Sequence, residues 1–423
     1  MRIAYLFTSF PVASETFLQR EIRAMRERSD VEIELWSLWG GKAEWEGMPV
    51  RRYPFWSVLR VIFFRVPQWA WRRPGALRRV WAAYMGESSP SLLNIGENLL
   101  GLAFALDNAD RFRANPPDLF HAVWGTMPAA AAWLLREITG VPFSMGAHAY
   151  DIFRSGGDWT LRQKLARACF VHTTTAAARE RLLGLGAPPQ RTHLIRRGLE
   201  ILPAADPPPV AALPQTAVSV APPSAPLRLL SIGRLVPKKG FLSQLRIYRA
   251  LRDAGVDFAA RIVGDGPLAA EIERHIQRLG LAGHVTLAGA LSYAQVTAEY
   301  AAADIFVFTG VVAEDGDRDG LPNVIPEAMA HGVAVVTTPV SGTTEAVKHG
   351  ETGQVARIDD VAGWLAAVRR LRDDAAFRQR TRCAARRWVE AEFAAHTNAA
   401  KLAAELIAAA SAAAKNEGLR AVR

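Results

Sequence analysis

Short apolar runs recur along this chain, each followed by a stretch with helical spacing, so strand and helix signals alternate almost from end to end. In the first half the runs are IAYLFT (3–8), VEIELWSL (31–38), LFHAVW (119–124), PFSMGA (142–147) and CFVHTT (169–174). In the second they are LRLLSIG (227–233), FAARIVG (258–264), VTLAG (285–289), IFVFTG (305–310) and VAVVTT (333–338). Parallel strands need a crossover, and a helix supplies it, so this alternation demands parallel sheets with helices on both faces. The stretch ILPAADPPPVAALPQTAVSVAPPSAP (201–226) separates the two series. It is rich in Pro and Ala, lacks periodicity, and reads as a stiff, extended linker. The expected organisation is two doubly wound α/β domains, 1–200 and 227–385, with a helical C-terminal piece over 386–423.

At 423 residues the chain has ample core for two such domains, and half of its residues are hydrophobic. No run of 18 uncharged apolar residues occurs, so a membrane-spanning helix is not expected. The opening MRIAYLFTSFPVASETF reads as strand, turn and helix start rather than signal peptide. The only cysteines, Cys169 and Cys383, are far apart, which suits a reducing cytoplasm and excludes a disulfide framework. A formal net charge of +10 favours acidic partners: nucleotides, nucleic acid or anionic lipid.

In the second half, nearly every strand ends in a glycine-bearing loop: GRLVPKKG, GDGP, AGALS, GVVAEDGDRDG and PVSGTTE. Ligands of open parallel sheets bind at the carboxyl ends of the strands, where glycines let backbone approach closely. None of these loops is a Walker loop, and none has Gly-x-Gly-x-x-Gly after a first strand, so a phosphate cleft of another type is expected. In SIGRLVPKKG (231–240), Arg234 and Lys239 follow a strand directly. A guanidinium and an ammonium there can clamp a diphosphate and take up charge on a leaving phosphate; the alternative is an exposed basic turn.

The segment RDGLPNVIPEAMAHG (318–332) starts a helix between two apolar runs. Pro326 is tolerated only in a first turn, so the helix begins near 322–324 and Gly332 follows its end. Asp319 then sits just outside the start, as anion-site partner or simple cap, and Glu327 one turn inside.

Together GRLVPKKG, IVGDGP, VTLAGALS and DGLPNVIPEAMAHGVAVVTTPVSGTTEAV resemble the donor-binding domain of retaining glycosyltransferases of family 4, which have the GT-B fold. FPVASETFLQREI (10–22) and GAHAYDIF (146–153) resemble the branch that builds exopolysaccharide, of the colanic-acid type, and lipopolysaccharide. The resemblance implies two Rossmann-like domains facing a cleft, with a C-terminal helix crossing back to the first. It implies a metal-independent hexosyltransferase taking a nucleotide-diphosphate sugar as co-substrate, with no other cofactor. Its acceptor would be a glycan, usually lipid-linked. By the same resemblance, Arg234 and Lys239 clamp the diphosphate with Gly233 at the head of their loop. Gly320, Leu321, Pro322, Asn323 and Val324 supply the loop and helix start, and Glu327 holds the ribose. The family has Glu where this chain has Asp319, about 1.5 Å shorter; that carboxylate holds donor-sugar hydroxyls. His148 is implied to contact the sugar, though a lone His after a strand is commonly structural. Asp151 and Glu15 are weaker candidates on the acceptor side; Ser14 is a candidate cap, and Gly198 a turn former.

EDGDRDG lacks the closing Glu of an EF-hand, so no metal site is expected. A GT-B epimerase or phosphorylase is the alternative reading. A nucleic-acid-binding protein would want basic residues interleaved with aromatics over a groove, and the strand-end motifs argue against it. The stretch 51–81 stands apart: eight arginines, no acid, and four tryptophans. Pro54, Pro67 and Pro74 are expected to break it into short pieces. It reads either as a peripheral contact with anionic membrane on the cytoplasmic face, or as a helix pair with aromatics packed inward.

Overall fold

The computed structural model describes residues 1–12, 15–54, 56–89, 91–199 and 225–421. Ser14, Phe55, Glu200 and residues 201–224 lie outside them, and with them the cap and most of the expected linker. The chain divides into two compact units: 1–198 with 315–317 and 395–423, and 199–314 with 318–394.

The first unit holds an eight-stranded sheet. Its strands are β1 (Arg2–Phe7), β2 (Glu32–Ser37), β3 (Glu44–Trp45), β4 (Met48–Arg52), β5 (Leu119–Ala122), β6 (Phe143–Gly146), β7 (Phe170–Thr173) and β8 (Thr192–Leu194). The order is β3-β4-β2-β1-β5-β6-β7-β8, parallel throughout except for the β3–β4 pair. β1 shows why its run is unbroken. Ala4 and Leu6 enter one core while Ile3, Tyr5 and Phe7 enter the other, so both faces are buried and the run from Ile3 to Phe7 is unbroken.

The second sheet comprises β9 (Leu227–Ile232), β10 (Phe258–Val263), β11 (Val285–Gly289), β12 (Ile305–Phe308), β13 (Ala334–Thr337) and β14 (Gln354–Val355), in the order β11-β10-β9-β12-β13-β14. It is parallel throughout. On β12, Ile305 and Val307 face one core, Phe306 and Phe308 the other.

The expected boundary at 386 is corrected. The helix Ala375–Glu392 runs past it, and Val389 and Phe393 are buried in the second unit's core with Trp388 packed against them. Only from Ala395 does the chain belong to the first unit, where the helix Ala395–Ala421 buries Ala399, Leu402, Ala403 and Leu406 in the core of β1. Gly198 makes a close approach here: a Cβ on it would stand 2.1 Å from Ala395 Cα.

Pro67 does not break the helix it lies in. A π turn at Val61–Arg65 joins Ser57–Arg60 to Val66–Arg72, and Pro67 sits at the start of the last piece. The shifted hydrogen-bond register of a π turn accommodates the missing N–H. A second helix, Pro74–Met85, follows. Trp69 and Tyr53 are buried, but Trp56, Phe63, Phe64, Trp71 and Trp81 are exposed, so inward packing holds for two of the described aromatics of 51–81 and fails for five. Among the described residues no helix is long and apolar enough to cross a membrane.

Candidate active site

Counted within its own sheet, the second unit's strand order is 3-2-1-4-5-6. The connections from β9 and β12, which are neighbours, therefore leave in opposite directions, and a crevice opens at their carboxyl ends. Both motif loops begin at that point: 233–240 follows β9, and 309–323 follows β12.

The two loops are locked together by backbone. Gly240 has φ +70, and a Cβ there would stand 1.9 Å from the Thr309 carbonyl oxygen. At Gly264, with φ +140, a Cβ would stand 2.0 Å from the Gly233 carbonyl oxygen. These glycines thus serve the approach of loop to loop rather than of loop to ligand. The Thr309 hydroxyl adds contacts to Gln244 Oε1 at 3.0 Å and to the carbonyls of Lys239 and Gly240 at 3.3 Å.

On this frame Lys239 Nζ lies 2.7 Å from Asp319 Oδ2, and Lys238 Nζ 3.7 Å from Oδ1. Lys239 also stands over the Phe308 ring, 5.2 Å from its centroid. Asp319 is not a helix cap: the N-cap of Val324–Ala330 is Asn323, and the carboxylate is taken by the lysines. Burial pushes the Asp319 carboxyl up, but Lys239, Lys238 and Arg234 more than offset this and hold it below the usual carboxylate range. Arg234 is exposed and has no ion-pair partner among the described residues. Three cations thus surround one carboxylate, which leaves a net positive crevice. Lys238 was not singled out from the sequence. The short 3-10 turn Pro237–Lys239 presents it to the same carboxylate as its neighbour.

Gly320 and Leu321 lead to Pro322, whose carbonyl accepts the Ile325 N–H, and the Gly320 carbonyl accepts the Gly342 N–H at 2.9 Å. Val324 is the first helical residue and Pro326 lies in the first turn, as the sequence required. Glu327 is half-buried, and Tyr300 Oη donates to its Oε2 at 3.3 Å. Tyr300 is fixed by stacking on His331, ring centroids 5.0 Å apart. At the far end of this seven-residue helix, Arg382 donates to the Gly332 carbonyl and Arg386 to that of Ala330, so its C-terminal carbonyls are satisfied by cations.

In the first unit, Asp151 is held by backbone donors. Asp151 Oδ2 accepts the N–H groups of Gly125 at 3.0 Å and His148 at 3.1 Å. It is 1% exposed, and burial raises its pKa to about 7. The carboxylate thus ties Gly125 to the start of the helix Ala149–Phe153. The His148 ring is buried against His172, centroids 5.3 Å apart, and turns back on β6: a Cβ on Gly146 would meet its Nε2 at 2.8 Å. Burial, then the charge of Arg197, keeps this imidazole neutral, with a pKa well below its ordinary value. Its Nε2 is buried and has no hydrogen-bond partner among the described residues. Glu15 is the N-cap residue of the helix Thr16–Arg26 and lies within electrostatic reach of Arg197. Arg197, which the sequence did not bring out, is buried with its guanidinium over Phe17 at 4.1 Å and Trp124 at 5.0 Å. Burial lowers its pKa, opposed by Glu21, Glu15 and Asp151.

Two family models match. One, described as glycosyl transferases group 1, takes residues 217–388; the other, a glycosyl transferase 4-like domain, takes residues 13–198. WcaL of Salmonella typhimurium, named for colanic acid biosynthesis, is 28% identical over 87% of this chain and 90% of its own. The amylovoran biosynthesis glycosyltransferase AmsK of Erwinia amylovora is 35% identical over 40% of this chain and 42% of its own. Among solved structures, Anabaena HepE in complex with UDP-glucose superposes with a TM-score of 0.65 at 19% identity, covering 96% of this chain and 100% of that one. That likeness establishes the GT-B fold, and with both family models matched the chain belongs to family 4 of the glycosyltransferases, on the branch that builds exopolysaccharide.

Proposed function

We propose that the protein is a retaining transferase that moves a hexose from a nucleoside-diphosphate sugar to a lipid-linked saccharide in the cytoplasm. The observation that carries this reading is the Lys239–Asp319 pair at 2.7 Å, flanked by Lys238 and Arg234 at the switch between β9 and β12. A diphosphate brings the negative charge this crevice lacks. It would lie against Arg234 and Lys239, cations that take up charge as the nucleotide leaves. Glu327, one turn into the next helix and steadied by Tyr300, is suited to a ribose diol, since a carboxylate accepts two hydroxyl donors. Asp319 is left for hydroxyls of the sugar. The seven-residue helix adds little dipole, so side-chain cations carry the electrostatic load.

In this mechanism the acceptor hydroxyl approaches the anomeric carbon on the face the phosphate leaves. The new carbon–oxygen bond forms as the bond to the phosphate oxygen breaks, and the acceptor proton passes to a phosphate oxygen. The chain then needs no base of its own, and its contribution is placement and charge stabilisation. With cations on the diphosphate, no metal is required.

Nucleoside diphosphates of different bases, and their sugars, are screened for protection against thermal unfolding, since a ligand of the native state raises its stability. The preferred donor is then incubated with and without lipid-linked acceptor, with and without EDTA, and the anomeric configuration of the product read by NMR. Net inversion refutes the retaining mechanism. Loss of activity in EDTA, restored by a divalent cation, refutes metal independence. An altered sugar nucleotide formed without acceptor marks an epimerase.

A further inference from the structure

The stretch 51–81 plays no part in the donor chemistry, yet it places five aromatic rings on the surface. The helix running from Ser57 to Arg72 buries one seam, Ser57, Val61 and Trp69, and leaves the opposite face to solvent. Trp69 Nε1 donates to the Leu106 carbonyl at 2.9 Å, so this seam lies along the helix Leu92–Ala114. On the open face Phe63 is 68% exposed, Phe64 69%, Trp71 84% and Leu59 62%. On the next helix Ala76, Val80 and Tyr84 are buried at four-residue spacing, and Trp81 and Met85 are exposed. Large apolar side chains grouped this way on successive helices exceed the scattered exposure normal for a soluble surface.

The arginines are not equivalent. Arg60 pairs with Asp107, Arg65 with Asp107 and Asp110, Arg72 with Asp110, and Arg79 with Glu137. Arg51 reaches Glu34 at 3.6 Å. These residues fasten the helices to the unit and contribute little net charge. Arg73 and Arg78 are exposed and have no ion-pair partner among the described residues. They stand beside Trp71 and Trp81 with no acid in 51–81 to neutralise them.

We propose that this face docks on the surface of an anionic lipid bilayer. The rings around Phe63, Phe64 and Trp71 enter at headgroup depth, and Arg73 and Arg78 meet lipid phosphates. Apolar insertion dominates the binding, and Arg73 and Arg78 add a modest, salt-sensitive part. A protein partner would also cover rings, but a lipid surface matches cations at the rim of an apolar face that carries no acid of its own. This inference stands on the exposed face and not on the donor site, so the two fail separately.

The test is flotation of the full-length protein with vesicles of phosphatidylcholine, with and without one-third phosphatidylglycerol, at low and high salt. Wild type should float with the anionic vesicles and lose only severalfold in high salt. Phe63→Ser/Phe64→Ser/Trp71→Ser should bind on the order of a hundredfold more weakly, and Arg73→Ser/Arg78→Ser about tenfold more weakly. Every substituted side chain is exposed, so melting temperature and protection by the nucleoside diphosphate should match wild type, which shows the fold intact. The proposal is overturned if wild type stays off anionic vesicles, or if the triple variant floats as well as wild type. It is equally overturned if wild type self-associates through this face and only the triple variant is monomeric, because the occupant is then a second copy of the chain.

Discussion

Replacing Asp319 by Asn separates two things the carboxylate could do: hold Lys239 in place, or hold the donor sugar. The pairs at 2.7 and 3.7 Å amount to gross attractions of about 6 and 4 kcal/mol at an effective dielectric near 20. Desolvation of the three groups offsets most of that. With 9 to 16% of the three side chains still exposed, the net loss on substitution is about 1–3 kcal/mol, below the cost of breaking a fully buried pair. The ligand-free variant should therefore melt lower by roughly 2–4 °C per kcal/mol for a unit of this size. The sign is set by the depressed Asp319 pKa. A carboxylate whose folded pKa is lowered contributes stability above its unfolded pKa and loses it as pH falls through the folded one, so the difference should begin to shrink as pH falls below about 4 and vanish only below the depressed folded value.

Binding should then move opposite to stability. With Asp319 charged, three cations face one anion; with Asn, three cations face none, and a diphosphate replaces what was lost. The variant should bind free nucleoside diphosphate at least as tightly as wild type, up to about tenfold tighter, and gain more in melting temperature from it. Turnover of the sugar nucleotide should still fall on the order of 10²–10³-fold. Calorimetric titration with the diphosphate, set beside the rate with the full donor, decides the matter. If diphosphate affinity and turnover fall by the same factor, Asp319 works by positioning Lys239, and the sugar contact is refuted.

Arg234→Ala should cost about 10²–10³ in rate with an unchanged melting temperature, because the side chain is exposed and ties nothing down; a near-native rate removes it from the clamp. Glu327→Ala should weaken nucleoside diphosphate binding by more than tenfold and Tyr300→Phe only severalfold, since Tyr300 Oη reaches the carboxylate at a long 3.3 Å; equal affinity in Glu327→Ala and wild type refutes the ribose assignment. Asp151→Asn should raise the melting temperature increasingly between pH 4 and 8. A carboxyl raised to about 7 favours the fold when protonated, loses that contribution as pH rises through the folded pKa, and Asn keeps the acceptor for Gly125 and His148. A difference that stays flat across that range shows the burial penalty is absent.

Ten strands were legible because parallel strands covered on both faces read as near-continuous apolar runs, as in Ile3–Phe7 of β1 and in β12. The four that were not, β3, β4, β8 and β14, are short pieces at or next to a sheet edge in which burial alternates or is partial. The β3–β4 hairpin did carry a local sign: Glu46 and Gly47 both take positive φ, the demand of a tight two-residue turn.

The crevice between β9 and β12 was legible for a topological reason. Its cations and carboxylates come from loops that leave two adjacent strands at a switch point, so short contiguous motifs hold most of it. What the sequence hid depended on contacts distant in the chain. Nothing near Asp151 in sequence shows that Gly125 will occupy it, and nothing near Arg197 shows that Phe17 and Trp124 will stack on it. The arginines of 51–81 misled in the same way. Their acids, Asp107, Asp110 and Glu137, arrive from helices later in the chain, so a charge count over the local stretch overstated the free cation and understated the apolar surface beside it. A run of one charge sign is a statement about a surface only after the neighbouring helices have been packed against it.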